Sequence, residues 1–312
     1  MRLSAAALAL VAAASSSSCY RAPVPESPAA NHAPAAAAAL ADPLAFLPVD
    51  SELVGVVEVR QIRSSPLWQR VEPKLLAGAQ ATLDDVRRTC GIDPLASVRR
   101  VSFGIRLLDS TTPSAVLVVK GPNRDQVMAC AARQAAARPA QLRVDRGYLV
   151  ASDTTGRSHM VATFADATTF VMLFSPTPTP AALDAAMRAG VPLRESATFQ
   201  GLLASVQISD PLWFVVNGNS KFLERGLLGI QPRAMMGSIN VSSGLVVAGR
   251  ARLDNPDHAT QLANMLQPQL GAISGFVEEI AITADQADLV LRLRMTPEQV
   301  DTLVGMAGLA GP

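Results

Sequence analysis

The chain uses one local pattern twice, and a duplicated pattern restricts the folds open to it. Phe164-Ala165-Asp166 followed by Phe170-Val171-Met172-Leu173 resembles Thr283-Ala284-Asp285 followed by Leu289-Val290-Leu291. Each is a pair of apolar, strand-favouring runs joined by a short polar turn, which reads as a hairpin. After each hairpin comes Thr-Pro-x-x-apolar-Asp: Thr179, Pro180, Leu183 and Asp184 in the first, Thr296, Pro297, Val300 and Asp301 in the second. Threonine caps a helix, proline fits its first turn, and aspartate favours its positive end. Such a cap is common alone; its return after a matching hairpin predicts a duplicated unit.

The rest of the chain fits two such units. In the first, a strand from Leu53 rich in branched residues precedes Ser65-Pro66, an N-cap and first-turn proline. Leu67, Val71, Leu75 and Leu76 fall on one face of that helix, with a kink expected at Pro73. A second helical stretch runs to Cys90 and stops at Gly91. Strands at 98–107 and 114–120, a helix at 124–136, and strands within 141–152 and 159–174 complete the unit. The second unit repeats this order, with strands at 212–216, 235–241, 244–253, 276–283 and 287–294 and helices opening at Asn255-Pro256 and Thr296-Pro297. A short helix is also expected after Asn219 or Ser220. The order implies an α+β class: two similar units of antiparallel or mixed sheet, at 42–190 and 191–312, with helices on one face as ferredoxin-like halves.

The N-terminus reads as an address rather than as structure. Met1-Arg2, an apolar run from Leu3 to Ala14, and Ser15 to Ser18 before Cys19 make a secretory signal over 1–18. The run is shorter than the roughly 20 residues a membrane span needs. Small residues directly before a cysteine match a bacterial lipoprotein signal, with lipidation (palmitate included) at Cys19; Ser16 departs from the leucine usual at that position. Ordinary cleavage within Ala12-Ala13-Ala14 is the alternative. Residues 19–41, with Pro23, Pro25, Pro28 and Pro34 among alanines, read as a flexible tether.

Composition and motifs remove several function classes. With 27 basic against 26 acidic residues the net charge is +1, so nucleic acid is not an expected partner. The three histidines, His32, His159 and His258, are not spaced for a metal, and no Cys-x-x-Cys occurs. No phosphate-loop or dinucleotide fingerprint is present, so no cofactor is expected. Asn217-Gly218-Asn219-Ser220-Lys221 could cradle an anion, though a plain turn and N-cap is the stronger reading. Asp84-Asp85 and Glu278-Glu279 are adjacent pairs whose side chains diverge, which suits surface charge better than paired acid–base work. With Cys19 lipidated, Cys90 and Cys130 remain, an even pair on two helices of the first unit. They are expected to form a disulfide in an oxidising compartment, the alternative being two buried thiols.

Three stretches carry a resemblance: Asp42-Pro43-Leu44 with Leu47-Pro48-Val49-Asp50, Ser65-Pro66-Leu67-Trp68, and Cys90-Gly91-Ile92-Asp93-Pro94-Leu95. The segment 42–120 is similar to uncharacterised bacterial exported proteins and predicted lipoproteins, a family with no assigned activity. The resemblance implies a compartment and a repeat fold but no catalytic residue. The expectation is therefore a non-enzymatic cell-envelope lipoprotein, held on the outer membrane in preference to other sites, that binds an envelope protein or component. The rival is an exported small-ligand binder or envelope hydrolase whose site forms between the units, drawing on residues such as Glu58, Asp145, His159 and Asp166.

Overall fold

The computed structural model describes residues 42–107, 113–153, 157–188, 193–218, 220–224 and 226–306. The expected signal peptide at 1–18, lipidation at Cys19 and tether at 19–41 lie outside the described residues, as does Asn219.

The strands are β1 Leu53–Val57, β2 Arg100–Leu107, β3 Pro113–Lys120, β4 Leu142–Asp145, β5 Tyr148–Ser152, β6 Ser158–Phe164 and β7 Thr169–Phe174 in the first half. The second half supplies β8 Leu212–Val216, β9 Ala234–Asn240, β10 Leu245–Arg252, β11 Glu279–Asp285 and β12 Asp288–Met295. The helices are α1 Val59–Arg63, α2 Pro66–Leu75, α3 Gln80–Cys90, α4 Pro94–Ser97, α5 Arg124–Ala137, α6 Pro180–Met187, α7 Ala197–Leu203, α8 Pro256–Leu266 and α9 Pro297–Met306. Side-chain caps start most of them: Ser65 Oγ accepts from the Trp68 amide, Asn123 from Gln126, Thr179 from Ala182 and Asn255 from His258. Gly91 ends α3 at φ 67°, a left-handed conformation that costs glycine little. Gly121 turns β3 into α5 at φ +125°, where a Cβ would come within 2.2 Å of the Ser97 carbonyl oxygen.

All twelve strands form one antiparallel sheet in the order β11-β12-β10-β9-β8-β1-β2-β3-β7-β6-β5-β4. The first half contributes β1-β2-β3-β7-β6 and the second β8-β9-β10-β12-β11, so the same order leads outward from the seam on both sides. The β4–β5 hairpin extends the first half alone. The α+β class with an antiparallel sheet therefore holds, with one correction: the halves share a sheet instead of forming two. Its cause is the β1–β8 pair, where Val54 faces Val215 and Val56 faces Trp213 across the seam. Both strands are too apolar to stand as sheet edges, and each covers the other.

The expectation of helices on one face is also corrected. Alternation along β3 sends Val116 and Val118 to one face and Val119 to the other, and each face has its own core. On the first face Leu44 and Leu47, α6 through Leu183, and α7 through Phe199 and Leu202 bury Val54, Val56, Val118, Val171, Trp213 and Met236. This core takes side chains from both halves. On the opposite face α5 packs over β4–β7 through Ala131, and α8 packs over β10–β12 through Ala259, Leu262 and Ala263. The helix α7, with the Ser196 cap before it, lies in the connecting stretch between the units, where the sequence pattern predicts no element.

Cys90 and Cys130 stand at disulfide distance with Cα atoms 5.1 Å apart, joining α3 to α5. The helices α2 and α9 meet across the halves, with Arg70 against Glu298 and Lys74 against Asp301, each at 2.6 Å. Among the described residues no helix is long and apolar enough to cross a membrane.

Candidate functional site

The four residues named for a shared catalytic site are not brought together. Glu58 leaves the end of β1 and pairs with Arg100 on β2. Asp166 sits in the β6–β7 turn, four strands away, where Thr169 Oγ1 donates to it at 2.6 Å and the Thr168 amide at 2.7 Å. Burial pushes its carboxyl up, but these donors and the Lys120 ammonium, 3.7 Å away, outweigh it and hold the group below the ordinary carboxylate range. Asp145 ends β4, opposite Tyr148 and beside Arg146. His159 is at the opposite end of β6, beside Phe174 and Ser175, with Nδ1 buried and without a hydrogen-bond partner among the described residues. Three carboxylates spread along one end of the sheet and a histidine at the other cannot share a substrate. Among the described residues no three of His, Cys, Asp and Glu gather as a metal ion would need.

The loop read as a possible anion cradle does hold a carboxylate, its own chain's. The Ser220 hydroxyl (3.0 Å) and Lys221 amide (2.9 Å) both donate to Glu52 Oε2, and the Leu107 amide donates to Oε1 at 3.1 Å. Glu52 immediately precedes β1, so this carboxylate ties the loop after β8 to the end of β2 and clamps the two halves. Turns, not the expected short helix, occupy 221–224. Asp84 and Asp85 pair with Arg87 and Arg88 one helical turn on, as surface charges do.

The surface that stands apart is the outer end of the second half. On the first face, α6 lies over the β6 region, with Leu183 fully buried. Its sequence counterpart α9 buries no residue and turns to α2 instead. A hollow of about 310 Å³ results, lined among the described residues from strands alone: Arg250, Glu279, Ala281, Thr283, Asp285, Val290 and Arg292. Its inner end is a satisfied network, in which Arg250 (3.2 Å) and Arg252 (3.1 Å) both bind the buried Asp288. Toward the open end, Arg292 stands between Ala248 and Ala281, too short to cover it, and is exposed with no charged partner among the described residues. Beside this face runs β11, a seven-residue edge, whereas the other edge, β4, has four residues. Next to β11, on and after α8, Met265, Ile273 and Phe276 are 43%, 45% and 52% exposed. A long open edge with exposed apolar side chains beside it is the usual place for another chain to add. In the sequence this site is marked only by the alternation Leu291-Arg292-Leu293-Arg294, which puts arginines on the face opposite two half-buried leucines.

Comparison of the chain with protein-family models, with curated proteins and with solved structures found no match.

Proposed function

We propose that the protein is a membrane-tethered lipoprotein of the bacterial cell envelope that binds another envelope protein and does not act by catalysis. The observation that carries the reading is the uncovered end of the second half: a bare three-strand face with Arg292 exposed, a seven-residue edge at β11, and Phe276 beside it. The lipoprotein-type leader ending at Cys19, and the Pro/Ala-rich stretch that follows, support tethering. The Cys90–Cys130 pair at disulfide distance suits an oxidising compartment. The dispersal of Glu58, Asp145, His159 and Asp166 supports binding over hydrolysis. We further read the two halves as copies of one unit: the first is closed by β4–β5 and α6, and the second is left open for a partner.

The test is isolation of the tagged full chain from its native envelope in mild detergent, beside Arg292→Glu and Phe276→Asp variants. The reading expects one stoichiometric companion protein, its yield down at least tenfold in either variant, and an N-terminal peptide acylated at Cys19. Turnover of an envelope substrate by the purified chain, abolished by a point substitution, would overturn it.

A further inference from the structure

A second hollow, on the same sheet face but wholly within the first half, has a different character. It measures about 520 Å³, a size at which small-molecule sites are common. Gly104, Ser114, Val116 and Leu173 make its floor on β2, β3 and β7; Ala182, Ala185 and Ala186 of α6 make one wall, and Pro48 and Ser51 the other. Small residues therefore meet small residues across a gap that protein interiors ordinarily fill. Ser114 is 8% exposed, and its hydroxyl has no hydrogen-bond partner among the described residues, as is also true of Ser175 at the same cleft. The charged groups at the cleft, Asp50 and Arg106, are bonded to each other.

We propose that this cleft binds a single aliphatic acyl chain. Apart from the Asp50–Arg106 pair, its lining is alanine, valine, leucine, proline and glycine with hydroxyls, and includes no aromatic ring on which a base or sugar would stack. The Asp50–Arg106 pair is internally neutral, so a polyanionic ligand would have to break it, whereas an aliphatic body leaves it intact. The hydroxyls of Ser114 and Ser175 are placed to bond a carboxyl or ester oxygen at one end of the chain. Two sources share this chemistry: a free fatty acid, and the chain's own acyl group at Cys19. The second source rests on the lipoprotein reading. Residues 20–41 lead from Cys19 into Asp42, whose carboxylate caps the turn Pro43–Phe46 just before Pro48 on the cleft wall. Fully extended, a stretch of that length spans at most roughly 3.3–3.6 Å per residue, enough to bring Cys19 to the cleft.

The test titrates oleate, by calorimetry, into the full chain and into its Cys19→Ser variant, which carries no acyl group. Binding of one oleate by Cys19→Ser is expected. Equal binding by the acylated chain assigns the cleft to free fatty acids; binding blocked in the acylated chain assigns it to the anchor. Ala185→Phe and Ala182→Phe, each filling the cleft from an exposed wall position, are expected to weaken oleate binding at least tenfold, and Ser114→Ala several-fold. Ala181→Phe, on α6 but outside the lining, leaves it unchanged. No binding by Cys19→Ser, or equal binding by the 181, 182 and 185 variants, would overturn the proposal. Lipoprotein status is read separately, from the mass of the N-terminal peptide.

Discussion

Glu52 shows how much one residue contributes here. Its carboxylate accepts hydrogen bonds from Leu107, Ser220 and Lys221, groups from both halves, and bonds to a charged acceptor contribute about 1.5–3 kcal/mol each at most. Glu52→Ala is expected to lower stability by roughly 2–3 kcal/mol in urea unfolding, since partly buried donors lose their acceptor; a loss below about 0.5 kcal/mol would contradict the clamp. Asp166 gives a pH dependence whose sign follows from its depressed pKa. A carboxyl held lower in the folded chain adds stability above its unfolded value, and that stability is lost as pH falls through the folded value. Thermal midpoints should therefore drop below about pH 4, and Asp166→Asn should flatten that drop; an unchanged acid limb would speak against it. Glu52's partners, 55 to 169 residues away along the chain, were not legible in the sequence, and neither was Lys120 beside Asp166. The caps at Ser65, Thr179 and Asn255 were, because a cap depends on side chains within three residues.

At the scale of elements, local order was readable and pairing was not. Alternation and turn residues marked the hairpins β6–β7 and β11–β12 close to their observed bounds. The β1–β8 seam joins segments far apart in the chain, and no local pattern distinguishes it from two separate sheets. The same limit hid the uncovered face at Arg292, which depends on where α9 packs rather than on what β12 contains. The cysteines were legible as a pair, and the distance between α3 and α5 supports that reading. Closing a loop of 40 residues contributes about 3–4 kcal/mol in the chain-entropy model. Cys90→Ser with Cys130→Ser should lose about that much in chemical denaturation, and a loss under about 1 kcal/mol would mean the bond is absent or strained out of effect. By contrast, the solvent-accessible ion pairs between α2 and α9 are worth little: Lys74→Ala, at a half-exposed position, should cost less than about 1 kcal/mol.

For the whole molecule, one sheet and a core shared across the seam predict one unfolding transition. The two tryptophans allow a direct check, because Trp68 lies on α2 in the first half and Trp213 on β8 in the second. In each single-tryptophan variant, Trp68→Phe or Trp213→Phe, the fluorescence of the remaining tryptophan and the far-UV circular dichroism should give the same urea midpoint; midpoints that separate between the two probes within one variant would show halves that fold alone. The same architecture leaves the molecule asymmetric, with a short edge at β4 and a long bare one at β11. That asymmetry underlies the proposed docking of an envelope partner. It is tested most directly by placing a photoreactive side chain, in cells, at Thr283 on the bare face or at Arg143 on β4, near the opposite edge. A discrete crosslinked partner is expected from position 283 and none from 143. Crosslinks from 143 alone, or equal labelling from both, would contradict it.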